Sequence, residues 1–377
     1  MNLKSNPIFK DKEFLISHIK SIMRFYHPRC IDNENGGFFQ HFRDDGSVYD
    51  FDTRHLVSST RFIFNYSMAS IELDNDEYKD VIRHGIEYLR QFHLNTKTGS
   101  YAWILEGKDV QDSTNYCYGF AFVLLAYSTA LRAGILEAKD FIDETFDVME
   151  KHFWSKEHEL YSDEISADWQ VVSSYRGQNA NMHSCEALIM AFEATGSQKY
   201  LDRALIIAKN ICIRQASLAE GLIWEHYDSN WEINWVYNKD RPDDLFRPWG
   251  FQVGHLTEWA KLLLILERHV KEDWLLPRAQ ELFDDAIEMG WDAESEGLFY
   301  GFSPNGDICD KDKYFWVQAE SIAAAAVLAN RTGDDYYWEW YDRIWSYSWK
   351  HMIDHKYGAW FRILDSNNNK YDDLKSP

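Results

Sequence analysis

The chain has 377 residues, 45% of them hydrophobic, so it is long enough to bury a large core and to form one to three domains. It carries 61 acidic against 39 basic side chains, a formal net charge of -22. Because such a charge repels phosphate backbones and anionic lipids, nucleic acid and membrane surfaces are not expected as partners. The N-terminal segment has no apolar run of signal-peptide length, and no later window approaches the eighteen uncharged apolar residues of a membrane span.

Six short aromatic segments recur along the chain, and each follows a turn. They begin at intervals of 60 to 62 residues, except for one interval of 76 residues after Gly221. A turn followed by alternating aromatic and β-branched residues is typical of a short strand or hairpin. The segments begin at Gly37, Gly99, Glu159, Gly221, Gly297 and Gly358.

Apolar patterns at helical spacing lie between these segments, two in each repeat. The helix after each hairpin is rich in small apolar residues, as in AAAAVLA at 323–329, whereas the next helix carries more charge. The first kind suits an inner layer and the second an outer layer. Six repeats therefore predict an all-α fold, an (α/α)6 barrel with short β-hairpins, as a single catalytic domain over residues 1–377. An open helical solenoid is the alternative.

The last repeat is one helix short. The hairpin at Gly358 should be followed by the sixth inner helix, but the sequence stops at Pro377, so eleven helices are predicted instead of twelve. The loss of an inner helix would expose the core to water. We therefore expect the domain to be incomplete at its C-terminus.

Polar and aromatic residues stand at the predicted starts of the inner helices, at equivalent points of the repeat. Parallel inner helices would bring them together at one mouth of the barrel, near the positive ends of the helix dipoles. His183 with Glu186, and His255 with Glu258, are each three residues apart and so share a helix face. The other members of the set are Arg54, Tyr118, Trp316, Gln318 and Glu320.

Each of these residues has a structural alternative. A lone histidine in an inner helix is often a hydrogen-bonded core residue. Arg54 can neutralise a carboxylate at the rim of the barrel, and Tyr118 and Trp316 can fill the core. The aromatic content of 16%, however, also suits the flat CH-rich faces of a sugar.

Three chemistries fit this set. Two His/Glu pairs can hold paired metal ions, although further bridging carboxylates are expected there. Two carboxylates among Asp112, Glu186 and Glu258 can hydrolyse a glycoside, but the histidines would then have no role. Histidines that titrate near neutral pH can instead move a proton next to a sugar carbonyl without a metal. The residues alone leave all three open.

The five cysteines are scattered and odd in number, without CxxC spacing. This pattern argues against a disulfide framework or a zinc cluster and favours the reducing cytoplasm. The oligomeric state stays open, and a homo-oligomer is compatible with the sequence.

Four segments resemble the N-acylglucosamine 2-epimerase superfamily, and within it the aldose-ketose isomerases that act on mannose and sulfoquinovose. They are RHLVSSTRFIFNY, RGQNANMHSCEALIMAFEATG, RPWGFQVGHLTEWAKLLL and KYFWVQAESIAAA. The resemblance runs from about Gly36 to the C-terminus, and the paired MHxxE and GHxxE segments are its most specific part.

The resemblance implies an (α/α)6 barrel and isomerisation of a free sugar through a cis-enediol, with no metal and no cofactor. It implies that His255 shuttles a proton, that Glu258 orients it, and that His183 helps to open the sugar ring or binds its hydroxyls. It implies sugar contacts for Arg54, Tyr118, Asn179, Trp316 and Gln318. The alternative within the fold is a sugar 2-epimerase, and the alternative of another class is a sugar-binding or glycoside-cleaving barrel.

One family motif is missing from this sequence. In these isomerases a second catalytic histidine follows a segment similar to YDDLKSP, with which this sequence ends. His351 and His355 precede the last hairpin and do not match that motif. The resemblance therefore implies a partner for His255 beyond Pro377.

Overall fold

The computed structural model describes residues 7–244 and 246–375, and the two final residues of the YDDLKSP segment lie outside these ranges. Eleven α-helices are present in the described residues, in agreement with the predicted number. They are α1 (Lys12–Tyr26), α2 (Leu56–Leu73), α3 (Glu77–Tyr88), α4 (Cys117–Arg132), α5 (Ala138–His152), α6 (Gln178–Thr195), α7 (Gln198–Lys209), α8 (Val253–Glu267), α9 (Leu275–Gly290), α10 (Phe315–Thr332) and α11 (Asp335–Tyr347).

The strands are short, two to four residues each. They are β1 (His41–Arg43), β2 (Val48–Asp50), β3 (Thr53–His55), β4 (Leu94–Asn95), β5 (Ser100–Tyr101), β6 (Ile104–Glu106), β7 (Asp109–Asp112), β8 (Asn115–Tyr116), β9 (Trp154–Ser155), β10 (Leu160–Tyr161), β11 (Glu164–Ile165), β12 (Arg176–Gly177), β13 (His226–Tyr227), β14 (Phe251–Gln252), β15 (Gly301–Phe302), β16 (Ile308–Asp310), β17 (Lys313–Tyr314), β18 (Ile363–Leu364) and β19 (Leu374–Lys375). Single π-helical turns extend α3, α7 and α11 at Leu89–His93, Asn210–Gln215 and Ser348–Met352.

The described residues group into two compact units. The first consists of 7–29, 42–47 and 252–375 and contains α1 and α8 to α11. The second consists of 30–41, 48–244 and 246–251 and contains α2 to α7. The single catalytic domain over residues 1–377 stays a prediction.

Within each unit, apolar helices pack on one another and on an amphipathic partner. In the second unit α4 packs between α2 and α6, and α3, α5 and α7 pack on α2, α4 and α6 in that order. In the first unit α8 packs on α10, with α9 and α11 as their partners. Thirteen of the sixteen residues of α4 are buried, whereas α3 buries one stripe. The predicted alternation of inner and outer helices is confirmed within each unit.

Helix α3 shows why its sequence gives an outer helix. Its buried residues Tyr78, Val81, Ile82 and Gly85 recur at spacings of three and four, which places them on one face. A side chain at Gly85 would overlap Phe38 and the neighbouring helix, so glycine allows α3 to approach closely. The other face of α3 is charged and exposed.

The first N–H of each inner helix α2, α4, α6, α8 and α10 donates to a backbone carbonyl in the aromatic segment of the next repeat. A helix leaves its first N–H groups without intrahelical partners, and a backbone carbonyl of the next repeat satisfies one of them here. The repeats are thereby linked at the ends that carry the candidate site residues. The bonds run from Leu56 to Trp103 (2.9 Å), Cys117 to Asp163 (2.8 Å), Gln178 to Glu225 (3.2 Å), Val253 to Tyr300 (3.1 Å) and Phe315 to Arg362 (3.2 Å).

The predicted hairpins are found at five of the six aromatic segments. Antiparallel pairs or bridges flank Gly37, Gly99, Glu159, Gly297 and Gly358. At Gly221 the turn is instead formed by a 3-10 helix, Ala216–Ala219, and the strand β13 that follows pairs with β12. None of the described helices is both long and apolar enough to cross a bilayer.

Candidate active site

Helix α6 carries the first predicted pair. The Nδ1 of His183 lies 3.2 Å from a carboxylate oxygen of Glu186. Because a carboxylate only accepts, this hydrogen bond requires the proton on Nδ1, and in the neutral form of the ring Nε2 is then the basic nitrogen. The ring of Tyr118, the second residue of α4, meets the His183 ring edge-on at 5.1 Å, and Phe122 lies at 4.8 Å. The imidazole is therefore fixed in orientation by one carboxylate and two aromatic rings.

Helix α8, which lies in the first unit, carries the second predicted pair, His255 and Glu258. His255 is buried, and its ring lies 5.3 Å from that of Trp316, the second residue of α10. Glu258 follows one turn later and is also buried. A side chain at Gly254 would overlap the Trp316 ring, so glycine lets the starts of α8 and α10 approach closely. His255 and Trp316 are thus brought together as the sequence predicts.

The two histidines do not occupy equivalent points of the repeat, and this part of the prediction is wrong. His183 is the sixth residue of α6, whereas His255 is the third residue of α8. The sixth position of α8 is held by Glu258. The histidines therefore stand almost one helical turn apart along their helices, which a comparison of residue types does not reveal.

A cavity of about 220 Å³ lies wholly within the second unit. Two predicted sugar contacts, Tyr118 and Asn179, line it. The buried Oδ1 of Asn179 has no hydrogen-bond partner among the described residues, so it can accept a bond from a ligand hydroxyl. The other lining residues are Trp103, Tyr116, Asp163, Tyr175, Ala180, Phe246 and Arg247.

The wall of this cavity is held by charged and aromatic contacts. The guanidinium of Arg247 lies 4.0 Å from the ring centre of Tyr175 and 2.9 Å from a carboxylate oxygen of Glu164. Phe246 stacks on His55 at 6.0 Å. The combination of flat rings with ionic and amide groups is the kind of surface that binds a polyhydroxylated ring.

Arg54 lies elsewhere than expected. It precedes α2, in β3, and its side chain is only 1% exposed. It donates to Asp32 at 2.9 Å and to the Thr53 carbonyl at 3.1 Å. The other oxygen of Asp32 accepts the N–H groups of the turn that precedes Gly37. We call this arrangement, a buried cation on the aspartate of a hairpin turn, the turn clamp.

The turn clamp occurs twice more at matching points of the sequence. Lys313, two residues before α10, donates to Asp292 at 2.8 Å, and Lys375 donates to Asp354 at 2.6 Å. Both aspartates also accept two N–H groups of their own turns. This recurrence favours the structural alternative for Arg54, and its sugar contact stays a prediction.

Gln318 is bound on both sides of its amide by the backbone of Leu298. Its Oε1 accepts the Leu298 N–H at 3.0 Å, and its Nε2 donates to the Leu298 carbonyl at 2.9 Å. Asn181, the fourth residue of α6 as Gln318 is of α10, holds Tyr161 in the same way. The amide of Gln318 thus fastens a hairpin to an inner helix, and its sugar contact also stays a prediction.

The N-acylglucosamine 2-epimerase family profile matches residues 37–377. A D-mannose isomerase of Marinomonas mediterranea is 58% identical over 374 residues, which is 99% of this chain and 94% of that protein. The chain belongs to the N-acylglucosamine 2-epimerase family. It is accordingly an enzyme of the sugar isomerase class.

Two solved structures agree with this assignment. A crystal structure of D-mannose isomerase, 58% identical, superposes with a TM-score of 0.97 over 99% of this chain and 95% of that one. The cellobiose 2-epimerase of Bacillus thermoamylovorans has a TM-score of 0.83 over 97% of this chain and 95% of that one, at 17% identity, which shows a shared fold alone. The predicted fold class, an (α/α)6 barrel with short hairpins, is confirmed.

Several residues that line the cavity were not predicted from the sequence. Asp163 and Tyr175 lie in connections between elements, and Phe246 and Arg247 lie in the stretch that makes one repeat 76 residues long. That longer interval was the available signal, because an insertion in one repeat usually carries function. The stretch lies outside the predicted inner helices, and its residues were therefore not among the predicted site residues.

Replacement of Gln318 by alanine is expected to lower the free energy of unfolding by about 2 kcal/mol or more. The change leaves the buried N–H and carbonyl of Leu298 without partners, at about 1–3 kcal/mol for each group. Urea denaturation measures the effect, and Asn181→Ala is the matched variant, with a similar expected loss. A stable Gln318→Ala enzyme with a strongly raised KM would instead establish the predicted sugar contact.

Proposed function

We propose that this enzyme interconverts D-mannose and its ketose, D-fructose, by moving a proton through a cis-enediol. The observation that carries the proposal is the 58% identity, over 99% of the chain, with a D-mannose isomerase. D-lyxose and sulfoquinovose are close relatives of the substrate and belong to the same test.

The proposed chemistry needs one proton to leave C2 of the open-chain aldose and one to reach C1, while a hydroxyl proton passes from O2 to O1. Imidazole suits both carbon transfers, because its ordinary pKa lies near neutral pH. We assign His255 to proton transfer at carbon, with Glu258 as the residue that orients it. Its packing against Trp316 supports a fixed position for the ring.

We assign His183 to opening the sugar ring or to binding its hydroxyls. Its bond to Glu186 sets the tautomer, so that the basic Nε2 suits proton exchange with a hydroxyl. Tyr118 and Asn179 are proposed as sugar contacts, since both line the cavity of the second unit. Trp316 is proposed as a further sugar contact, through the flat face of its ring.

The enzyme is proposed to act in a reducing compartment, the cytoplasm. All five cysteines are free thiols, and four of them are buried. Disulfide bonds are typical of oxidising compartments instead. A small-molecule sugar is its proposed binding partner.

The test is to incubate the enzyme with D-mannose in heavy water and to identify the products by NMR. Ketose that carries deuterium at C1 supports the proposed isomerisation. Glucose labelled at C2 would instead identify a 2-epimerase, since the proton would then have returned to the opposite face of C2. If the enzyme turns over no free aldose, the result favours the alternative of a sugar-binding or glycoside-cleaving protein.

Activity is expected to survive exhaustive dialysis against a chelator. Imidazole can perform both proton transfers, so the proposed mechanism requires no metal. The rate of mannose conversion before and after dialysis measures this. A rate that is lost on chelation and restored by manganese or zinc would assign the His/Glu pairs to metal binding.

A further inference from the structure

Asp163 connects two helices that carry proposed site residues. Its backbone carbonyl accepts the N–H of Cys117, the first residue of α4, at 2.8 Å. Its side-chain Oδ2 accepts the N–H of Gly177, the N-cap residue of α6, at 2.7 Å. The carbonyl bond recurs in the other repeats. In this repeat the carboxylate adds a second bond, and this bond joins α6 to the residue that already holds α4.

The segment that holds Asp163 is itself fixed to α6. The side-chain amide of Asn181 binds both the N–H and the carbonyl of Tyr161, at 2.9 and 3.0 Å, and its nitrogen also reaches the Gly177 carbonyl at 3.2 Å. Asp163 therefore sits on a short segment with little freedom to move. A shift of its carboxylate would be transmitted to the first turn of α6.

No space is left beside Gly177 for a side chain. A Cβ there would lie 2.7 Å from the Tyr175 hydroxyl and 3.0 Å from the second oxygen of Asp163. The backbone of Gly177 is thus held between these two groups, both of which line the cavity. The start of α6 depends on this close fit.

We propose that Asp163 is a positioning residue that fixes the starts of α4 and α6, and through them the ring of Tyr118 against that of His183. The second residue of α4 is Tyr118 and the sixth residue of α6 is His183, and their rings meet at 5.1 Å. The inference rests on the proposed function for the roles of these two residues. Asp163 needs only an oxygen that accepts the Gly177 N–H.

The charge of Asp163 is not required for this role. Burial raises its pKa to about 7, although the Gly177 N–H, Arg247 and Arg176 lower it, and Glu164 adds to the rise. The charge of Asp163 in turn contributes to the raised pKa values of Tyr175 and Cys117. The folded state therefore binds the proton of Asp163 more tightly than the unfolded state does. The contribution of this carboxyl group to the free energy of unfolding falls as pH rises from about 4 to about 7.

Two replacements of similar size show whether Asp163 acts through the oxygen that accepts the Gly177 N–H or only through the volume of its side chain. Asp163→Asn keeps an oxygen that can accept the Gly177 N–H, whereas Asp163→Leu removes it. Glu225→Gln is the matched control, because the carbonyl of Glu225 accepts the first N–H of α6 and its carboxylate binds the Gln178 side chain. Each full-length variant is assayed for kcat and KM with D-mannose and for thermal melting at pH 5 and pH 8.

Asp163→Leu is expected to lower kcat by about 10- to 100-fold, since a small misplacement of a site residue has effects of this size. KM is expected to rise as well, because the displaced Tyr118 is a proposed sugar contact. Asp163→Asn should keep kcat within about threefold and should melt no lower than the wild type at pH 8, because it removes a buried charge. Glu225→Gln should keep kcat within about twofold. A wild-type kcat in Asp163→Leu, or an equal loss in Asp163→Asn, would overturn the proposal.

An NMR measurement without substrate tests the positioning role of Asp163 independently of the proposed activity. The ring signals of His183 in an NMR spectrum, assigned with His183→Asn, should shift in Asp163→Leu and stay in place in Asp163→Asn. If Asp163→Leu does not fold, Gly177→Ala serves instead, because its Cβ displaces the same carboxylate. Wild-type protein that turns over no mannose contradicts the proposed function, whereas His183 signals unmoved in Asp163→Leu or Gly177→Ala contradict the positioning role.

Discussion

Replacement of His255 by asparagine is expected to lower kcat for sugar isomerisation by about 10²-fold or more, with KM changed less than about threefold. Asparagine is a smaller polar residue whose amide matches the near half of the imidazole, so it keeps part of the packing against Trp316. It has no basic nitrogen, however, and cannot take a proton from carbon. Steady-state kinetics with D-mannose measure the change, and thermal melting shows whether the fold is kept.

The control for this variant is His269→Asn. His269 lies just after the C-terminal end of α8, two residues beyond Glu267, so the same chemical change is made at the other end of the helix. Its kcat should stay within about twofold of the wild type. A His255→Asn enzyme with near-normal kcat would remove His255 from the mechanism.

The helical repeat could be predicted because it depends on local features. Turn residues and aromatic segments fix where each repeat begins, and apolar spacing separates α4, buried almost throughout, from α3, buried along one stripe. The 3-10 turn at Ala216–Ala219 and the π-helical ends of three helices could not be predicted in this way. They depend on how successive elements meet, which no short pattern of residues encodes.

The site was predicted less completely than the fold. The sequence predicted that these histidines and aromatic residues gather at one mouth of the barrel. The structure adds the particular contacts, His255 with Trp316 and His183 with Tyr118. Gln318 is likewise a polar side chain at the start of an apolar helix, but its amide is hydrogen-bonded to the backbone of Leu298. The sequence shows that such a group is present, and only the structure shows which partner satisfies it.

Replacement of Arg54 by alanine is expected to lower the free energy of unfolding by about 3–5 kcal/mol at pH 7, because it leaves the buried carboxylate of Asp32 without its cation. Burial alone would raise the pKa of Asp32, but N–H bonds from Asn35 and Glu34 and the charge of Arg54 outweigh it and lower that pKa. The stabilisation is therefore full above pH 4 and is lost as pH falls through the lowered pKa. Urea unfolding at pH 7 measures it, and Lys313→Ala, which opens the turn clamp at Asp292, is the matched variant.

Arg54→Lys distinguishes the turn clamp from a sugar contact. Lysine already fills the equivalent position at Lys313 and Lys375, so it can pair with Asp32 and should hold the free energy of unfolding within about 1 kcal/mol of the wild type. It lacks the planar fork with which arginine binds two oxygens at once. If the turn clamp is the whole role of Arg54, KM for D-mannose in Arg54→Lys stays within about twofold. A KM raised tenfold in a fully stable Arg54→Lys enzyme would show that the guanidinium also binds the sugar, as the family resemblance implies.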